Sequence, residues 1–219
     1  MRIGFVCRGT VSSYLDFFQK QEKNERADLI LLGFGGGEEV SYERELKGET
    51  HFFESVAQLS KTQKSVVVCG CITDTLGHKR KSAVVAENGK LLGVSDMLHA
   101  VDGEVSGGAA LRVYETKIGR MGVAVAGDLL FPDVIKALVT CGSDFIVCPY
   151  GKAGSLQSVL LRADAYRFGS PIFFCGDGYS MLADAAGGIA FASPQSPAFI
   201  DFKNKKEYHL VETRRRGVF

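Results

Sequence analysis

Residues 121–133, Met121-Gly122-Val123-Ala124-Val125-Ala126-Gly127-Asp128-Leu129-Leu130-Phe131-Pro132-Asp133, pass from a short apolar strand into a helix. Pro132 sits where the first helical turn needs no backbone N–H and where a fixed φ favours the helix, so PDVIKALVTCG reads as helical. Beyond it come a strand DFIVCPY (144–150), a helix near 155–168 and a strand PIFFC (171–175). Before it lie the strands MGVAVA and AALRVY, and then SAVVAENGKLLGV (82–94), two strands folded across Glu87-Asn88-Gly89. Asn-Gly supplies the two positive φ angles that a tight hairpin requires. Nearer the amino end are SVVVCGC (65–71), DLILL (28–32) and IGFVC (3–7), all short apolar runs. Helices separate them: 10–23 places Val11, Tyr14, Leu15 and Phe18 on one stripe, and 52–62 does the same with Phe52, Val56 and Leu59. Alternating strand and helix predict an α/β protein, and the hairpin adds antiparallel neighbours, so the sheets should be mixed. The carboxyl third, with IAFAS, AFIDF and EYHLVE, is strand-rich.

The chain has 219 residues, 46% of them apolar, with 26 glycines, enough for one substantial core and a single domain over 1–219. Lys plus Arg number 26 against 25 acids, a net charge of +1. That balance offers no electrostatic footprint for nucleic acid or an anionic membrane. No stretch approaches the roughly 18 apolar residues of a membrane span, and the start lacks a secretory h-region, so a soluble, cytoplasmic protein is expected. Cys7, Cys69, Cys71, Cys141, Cys148 and Cys175 lie mostly within apolar runs, which predicts reduced, buried thiols. Cys69 and Cys71 form a C-x-C pair without the second pair or spaced His that a tetrahedral zinc site needs. Neither a metal nor a cofactor is expected.

With GKLLGVSDMLH (89–99), MGVAVAGDLLFPD and GSDFIVCPYG (142–151) in this order and spacing, the sequence resembles the nitrilase, or carbon-nitrogen hydrolase, superfamily. In that family a hairpin strand ends in Tyr-Arg-Lys-x-His. A later strand ends in Cys-Tyr-Asp-x-Arg-Phe-Pro-Glu, an elbow that presents the nucleophile before a helix. DLILLGFGGG looks like the family's strand ending in Leu-Pro-Glu. The resemblance spans about residues 28–178 and implies a four-layer α-β-β-α sandwich with two mixed sheets, paired as a homodimer through helices near the elbow.

The family's chemistry uses a thiolate to attack an amide or nitrile carbon, a Glu to move protons and a Lys to stabilise the oxyanion. In register those positions fall on Ala126, Phe34 and Met97, none of which has the required functional group. The resemblance therefore implies a scaffold inactive as an amidase and retained to bind a small-molecule ligand or a partner, its former pocket lined by Phe34, Met97 and Ala126. Asp128, Phe131, Pro132 and Asp133 keep the elbow pattern, and His99 keeps the family's histidine, which is read as structural. Leu130, Ser95 and Asp96 depart from the charged and aromatic residues usual there.

An alternative is an active hydrolase built from displaced groups, with Cys148 at a strand tip as nucleophile and Glu38 or Glu39 as base. Tyr150, Asp177, Tyr179 and Cys175, which also follow or end strands, are further pocket candidates. The run Gly33-Phe34-Gly35-Gly36-Gly37 fits no phosphate-loop pattern and reads as a turn.

Overall fold

Hydrophobic runs without polar interruption suit strands covered on both faces, and such strands form the centre of each sheet. The computed structural model describes residues 1–20, 26–100, 103, 105–152 and 154–203. The first half contains β1 (Arg2–Val6), α1 (Val11–Lys20), β2 (Leu29–Leu32), β3 (Glu39–Ser41), α2 (Tyr42–Leu46), α3 (Phe52–Gln63), β4 (Val66–Thr75), β5 (His78–Glu87) and β6 (Lys90–Asp96). The second contains β7 (Val113–Thr116), β8 (Gly119–Val123), a short 3₁₀ turn (Ala126–Leu130), α4 (Pro132–Thr140), β9 (Phe145–Lys152), α5 (Ser155–Phe168), β10 (Ile172–Asp177), β11 (Tyr179–Ala183), β12 (Ile189–Ser193) and β13 (Ala198–Asp201).

The first sheet runs β13-β1-β2-β4-β5-β6, with β3 beside β4, and the second runs β12-β11-β10-β9-β8-β7. In each, three parallel strands lie in the middle, β1-β2-β4 and β8-β9-β10, and antiparallel strands extend both sides. Both sheets are mixed, as the hairpin signal required. Asn88 (φ 51°) and Gly89 (φ 79°) make the β5–β6 turn with the predicted pair of positive φ angles.

Because a strand alternates its faces, each apolar run divides its residues between two cores. Leu29, Leu31, Val66, Val68, Phe145, Val147 and Phe173 pack between the sheets. Ile30, Leu32, Val67 and Cys69 face outward onto Val11 and Tyr14 of α1 and Val56 and Leu59 of α3. Ile146, Cys148, Ile172 and Phe174 face outward onto Val134, Ile135 and Leu138 of α4 and Leu161 and Ala165 of α5. The result is a four-layer α-β-β-α sandwich.

Three local features differ from the sequence reading. The second hairpin, β4–β5, closes on Leu76 and Gly77, both at positive φ, with Asp74 Oδ1 accepting from Gly77 N at 2.8 Å. Leu is a poor left-handed residue, so its sequence carries little turn signal. The segment after the glycines forms β3 and α2, where only a turn was expected; Ser41 caps α2. Cys141 is exposed, while the other five thiols are buried and all six are free. The strand EYHLVE, the end of the first helix beyond residue 20 and the side chain of Phe18 lie outside the described residues.

Candidate functional site

The carboxyl ends of the parallel strands β1, β2, β8, β9 and β10 converge at one end of the sandwich, where ligand crevices of α/β folds form. The loop after β2 crosses from the first sheet to the second there. Phe34 N donates to Tyr150 O at 3.0 Å, and a Cβ on Gly33 would stand 2.6 Å from Cys175 O, so only glycine allows the crossing. Phe34 then lies over β4: a Cβ on Gly70 would meet its ring at 2.7 Å.

At the elbow, Val125 is extended and Ala126 turns into the left-handed region at φ 47° before the 3₁₀ turn. A residue placed at such a sharp strand-to-helix bend is held apart from both elements, a geometry suited to presenting a reactive side chain. Here the side chain is a methyl group, 4% exposed. Met97, fully buried, and Ala126 belong to the core between the sheets, and Phe34 packs against that same core. The three residues read from the sequence as a former pocket thus share one apolar cluster.

Asp128 is the polar keystone of the elbow. Its carboxylate accepts from Leu98 N (2.9 Å), His99 N (3.0 Å) and Val125 N (3.3 Å), joining the segment after β6 to the bend. Burial pushes its pKa above the usual carboxylate value, opposed by those three N–H groups and by the charge of His99. His99 stacks on Phe131 at 4.1 Å between ring centroids, so its ring is part of the elbow's packing. These contacts give both residues positioning work.

The displaced set is not brought together. Cys148 faces α4 and α5 on the outer side of the second sheet, fully buried, and burial raises its thiol pKa well above the ordinary value. Strand alternation is the reason: Val147, not Cys148, faces the space between the sheets. Glu38 caps the start of α1, its Oε1 accepting from Val11 N at 3.3 Å, near Cys69 and Cys71 on the outer side of the other sheet. Glu39 is exposed and paired with Lys79 at 2.9 Å. Both sheets therefore lie between Cys148 and the glutamate proposed to activate it.

Tyr150 contributes its carbonyl to Phe34, but its hydroxyl turns away and accepts from Gln157 Nε2 of α5 at 3.0 Å. Tyr179 approaches Met181 Sδ at 3.9 Å and packs on the α5 side. Asp177 is exposed beside the glycine loop. The thiols that do face the inter-sheet core are Cys7 and Cys175. Burial raises the pKa of each, so neither is poised as a thiolate. Alternation groups Cys7 with Phe5 and Cys175 with Phe173, while the stacking of the two sheets makes that face the inner one.

One cation escaped the sequence reading. On β5, Lys81 stands on the same face as Ala83 and Val85, both in the inter-sheet core, and it pairs across the ladder with Ile72. Met97 N donates to Lys81 O at 2.8 Å, continuing the β5–β6 register beyond Ser82 and Asp96. Lys81 is thus one rung across from Met97. Period-two alternation through Lys81-Ser82-Ala83-Val84-Val85 groups it with Ala83 and Val85, while strand register sets it opposite Met97.

Residues 25–198 match the carbon-nitrogen hydrolase family model. A probable nitrilase from Schizosaccharomyces pombe is 26% identical over 152 residues, covering 63% of this chain and 54% of its own length. The chain therefore spans about half the length of that curated relative. An amidase variant from Nesterenkonia sp. AN1 superposes with a TM-score of 0.75 at 18% identity, covering 94% of each chain. Another variant of that amidase is described in complex with butyramide. A Saccharomyces cerevisiae member of branch 10 of the nitrilase superfamily gives a TM-score of 0.73 at 14% identity, covering 91% of this chain and 88% of its own.

Proposed function

The chain belongs to the carbon-nitrogen hydrolase family, and from that premise we propose that it does not hydrolyse amides or nitriles and is retained as a ligand- or partner-binding protein. The observation that carries this reading is Ala126 at φ 47°: the elbow is formed, and the residue it presents has no nucleophilic atom. Covalent catalysis by this route needs a thiolate at the bend and a cation at the oxyanion. Ala126 and the fully buried Met97 supply neither. The family's proton-transfer position falls on Phe34, whose ring occupies the space over Gly70.

The test is ammonia release from a panel of amides, nitriles and carbamoyl compounds that includes butyramide. No release above the buffer blank is expected. Ammonia production that disappears in Cys148→Ser or Glu38→Gln would overturn the reading in favour of displaced catalytic groups.

The protein is further proposed to act as a cytoplasmic homodimer. Six free cysteines suit a reducing compartment. No helix among the described residues is long and apolar enough to cross a membrane. For the dimer, support comes from α5, which buries Leu161 and Ala165 yet leaves Leu156, Val159 and Tyr166 more than half exposed. An apolar outer stripe beside an already buried one marks a helix that can be covered on both sides.

A further inference from the structure

We propose that the mouth of the sandwich between Arg8 and Asp177 binds a small zwitterion, an α-amino acid whose carboxylate meets the guanidinium and whose ammonium meets the aspartate. The site is separate from the cluster of Phe34, Met97 and Ala126, so the proposal goes beyond the non-hydrolytic reading and does not depend on it.

The two charges cross from opposite sheets. Arg8 follows β1 of the first sheet, and its guanidinium lies against Gly178, the turn between β10 and β11 of the second. A Cβ on Gly178 would stand 3.5, 3.6 and 4.0 Å from Nη2, Nε and Cζ of Arg8. Asp177 ends β10, and its Oδ1 reaches the glycine loop after β2, 3.3 Å from where a Cβ on Gly35 would be. That same point is 3.6 Å from Arg8 Cα. Gly178 turns at φ 75°, and its N donates to Cys7 O at 2.8 Å, tying the ends of β1 and β10 together. Glycines thus let the two charged side chains lie close against backbone.

Despite this proximity the charges are not paired. Among the described residues, neither the Arg8 guanidinium nor the Asp177 carboxylate has a hydrogen bond or an ion pair, and both residues are exposed. Lys152, opposite Asp177 in the β9–β10 register, makes no ion pair with it either. The backbone of Arg8 is fixed instead, its N donating to Ser196 Oγ at 3.1 Å, which lies 2.7 Å from the Tyr14 hydroxyl. Burial is the main cause of the raised pKa of Cys7, while Arg8 lowers it and Asp177 raises it, so both charges reach that one thiol.

Opposite charges held apart select a ligand that carries both. A simple anion would meet Arg8 but be repelled by Asp177, and a simple cation would suffer the reverse. A guanidinium has only donors and a carboxylate only acceptors, so the carboxylate and ammonium of an α-amino acid supply the complementary set. Both contacts are charge-assisted, the stronger kind of hydrogen bond. Because the protein charges are exposed and hydrated, an affinity on the order of millimolar is expected.

L-Alanine, propionate and ethylamine share a carbon frame and separate the two charges. The isotope-labelled full chain is titrated at pH 7 while the NMR signals of the Gly178 N–H and the Arg8 Nε–H are followed. L-Alanine is expected to bind about tenfold more tightly than propionate, ethylamine or inorganic phosphate. Arg8→Gln and Asp177→Asn, read at Gly178, should each weaken alanine binding about tenfold, circular dichroism verifying that each variant is folded. The proposal is overturned if alanine leaves both signals unmoved, if propionate, ethylamine or phosphate binds as tightly as alanine, or if either folded variant keeps the parental affinity.

Discussion

Ala126 is held in a conformation that costs an L-residue about 1–2 kcal/mol relative to the right-handed region, although its side chain performs no chemistry. Glycine would remove that cost but would also remove a buried methyl group worth about 0.8 kcal/mol. Ala126→Gly is therefore expected to leave stability nearly unchanged. Ala126→Val adds a branched Cβ at a positive φ, and chemical denaturation should show a loss of about 2 kcal/mol. Equal stability of the valine and alanine proteins would mean that the bend is not maintained in solution. Glu38 offers a second residue-scale test. Burial raises its pKa above the ordinary 4.5, against the opposing hydrogen bond from Val11. The folded state consequently holds this proton more strongly than the unfolded one, and its contribution to stability is full below pH 4.5 and lost as pH rises through the folded-state pKa. Glu38→Gln, neutral at every pH, should match the parent near pH 4 and exceed it at pH 8 in urea midpoint. A constant difference across that range would exclude the carboxyl as its source.

At the scale of elements, the two hairpins of the first sheet separate the legible from the illegible. Glu87-Asn88-Gly89 announces its turn, because Asn tolerates the left-handed region and Gly has no Cβ. Leu76-Gly77 makes an equally tight turn with a residue that resists it, and Leu76 is 78% exposed with φ 54°. Leu76→Asn should relieve the strain without loss of packing, raising stability by about 0.5–1 kcal/mol. A thermal midpoint higher by about 2 °C would register it; an unchanged or lower midpoint would show that the leucine contributes something the turn geometry does not reveal. The Pro132 helix and the strand before it were readable for a similar reason as the Asn-Gly turn: proline limits φ locally, whatever the rest of the chain does. The segments β3 and α2, by contrast, depend on pairing with β4 and on the Ser41 cap rather than on a strong local pattern.

Across the whole molecule, the proposed homodimer is tested at α5. Leu156 and Val159, three positions apart and 55% and 61% exposed, lie on one side of that helix. Light scattering of the intact protein is expected to give twice the 23.7 kDa chain mass. The pair Leu156→Glu and Val159→Glu should give a folded monomer, since neither side chain belongs to the buried cluster beneath the helix. A dimer that survives both charges would place the interface elsewhere.

The sequence by itself determined the order of most strands and helices, though not β3, α2 or β11, together with the elbow and the identities of Phe34, Met97 and Ala126, because hydrophobic period, turn chemistry and motif spacing are local properties. It could not determine which side of each sheet a residue would join. Runs such as FIVC and PIFFC are apolar on both faces, so only the stacking of two sheets between helix layers shows that Cys148 faces α4 and α5 and Cys175 faces the inner core. The same long-range pairing sets Lys81 opposite Met97, a neighbour relation created by strand register. Tertiary structure decided these placements because a one-residue step along a strand reverses its face.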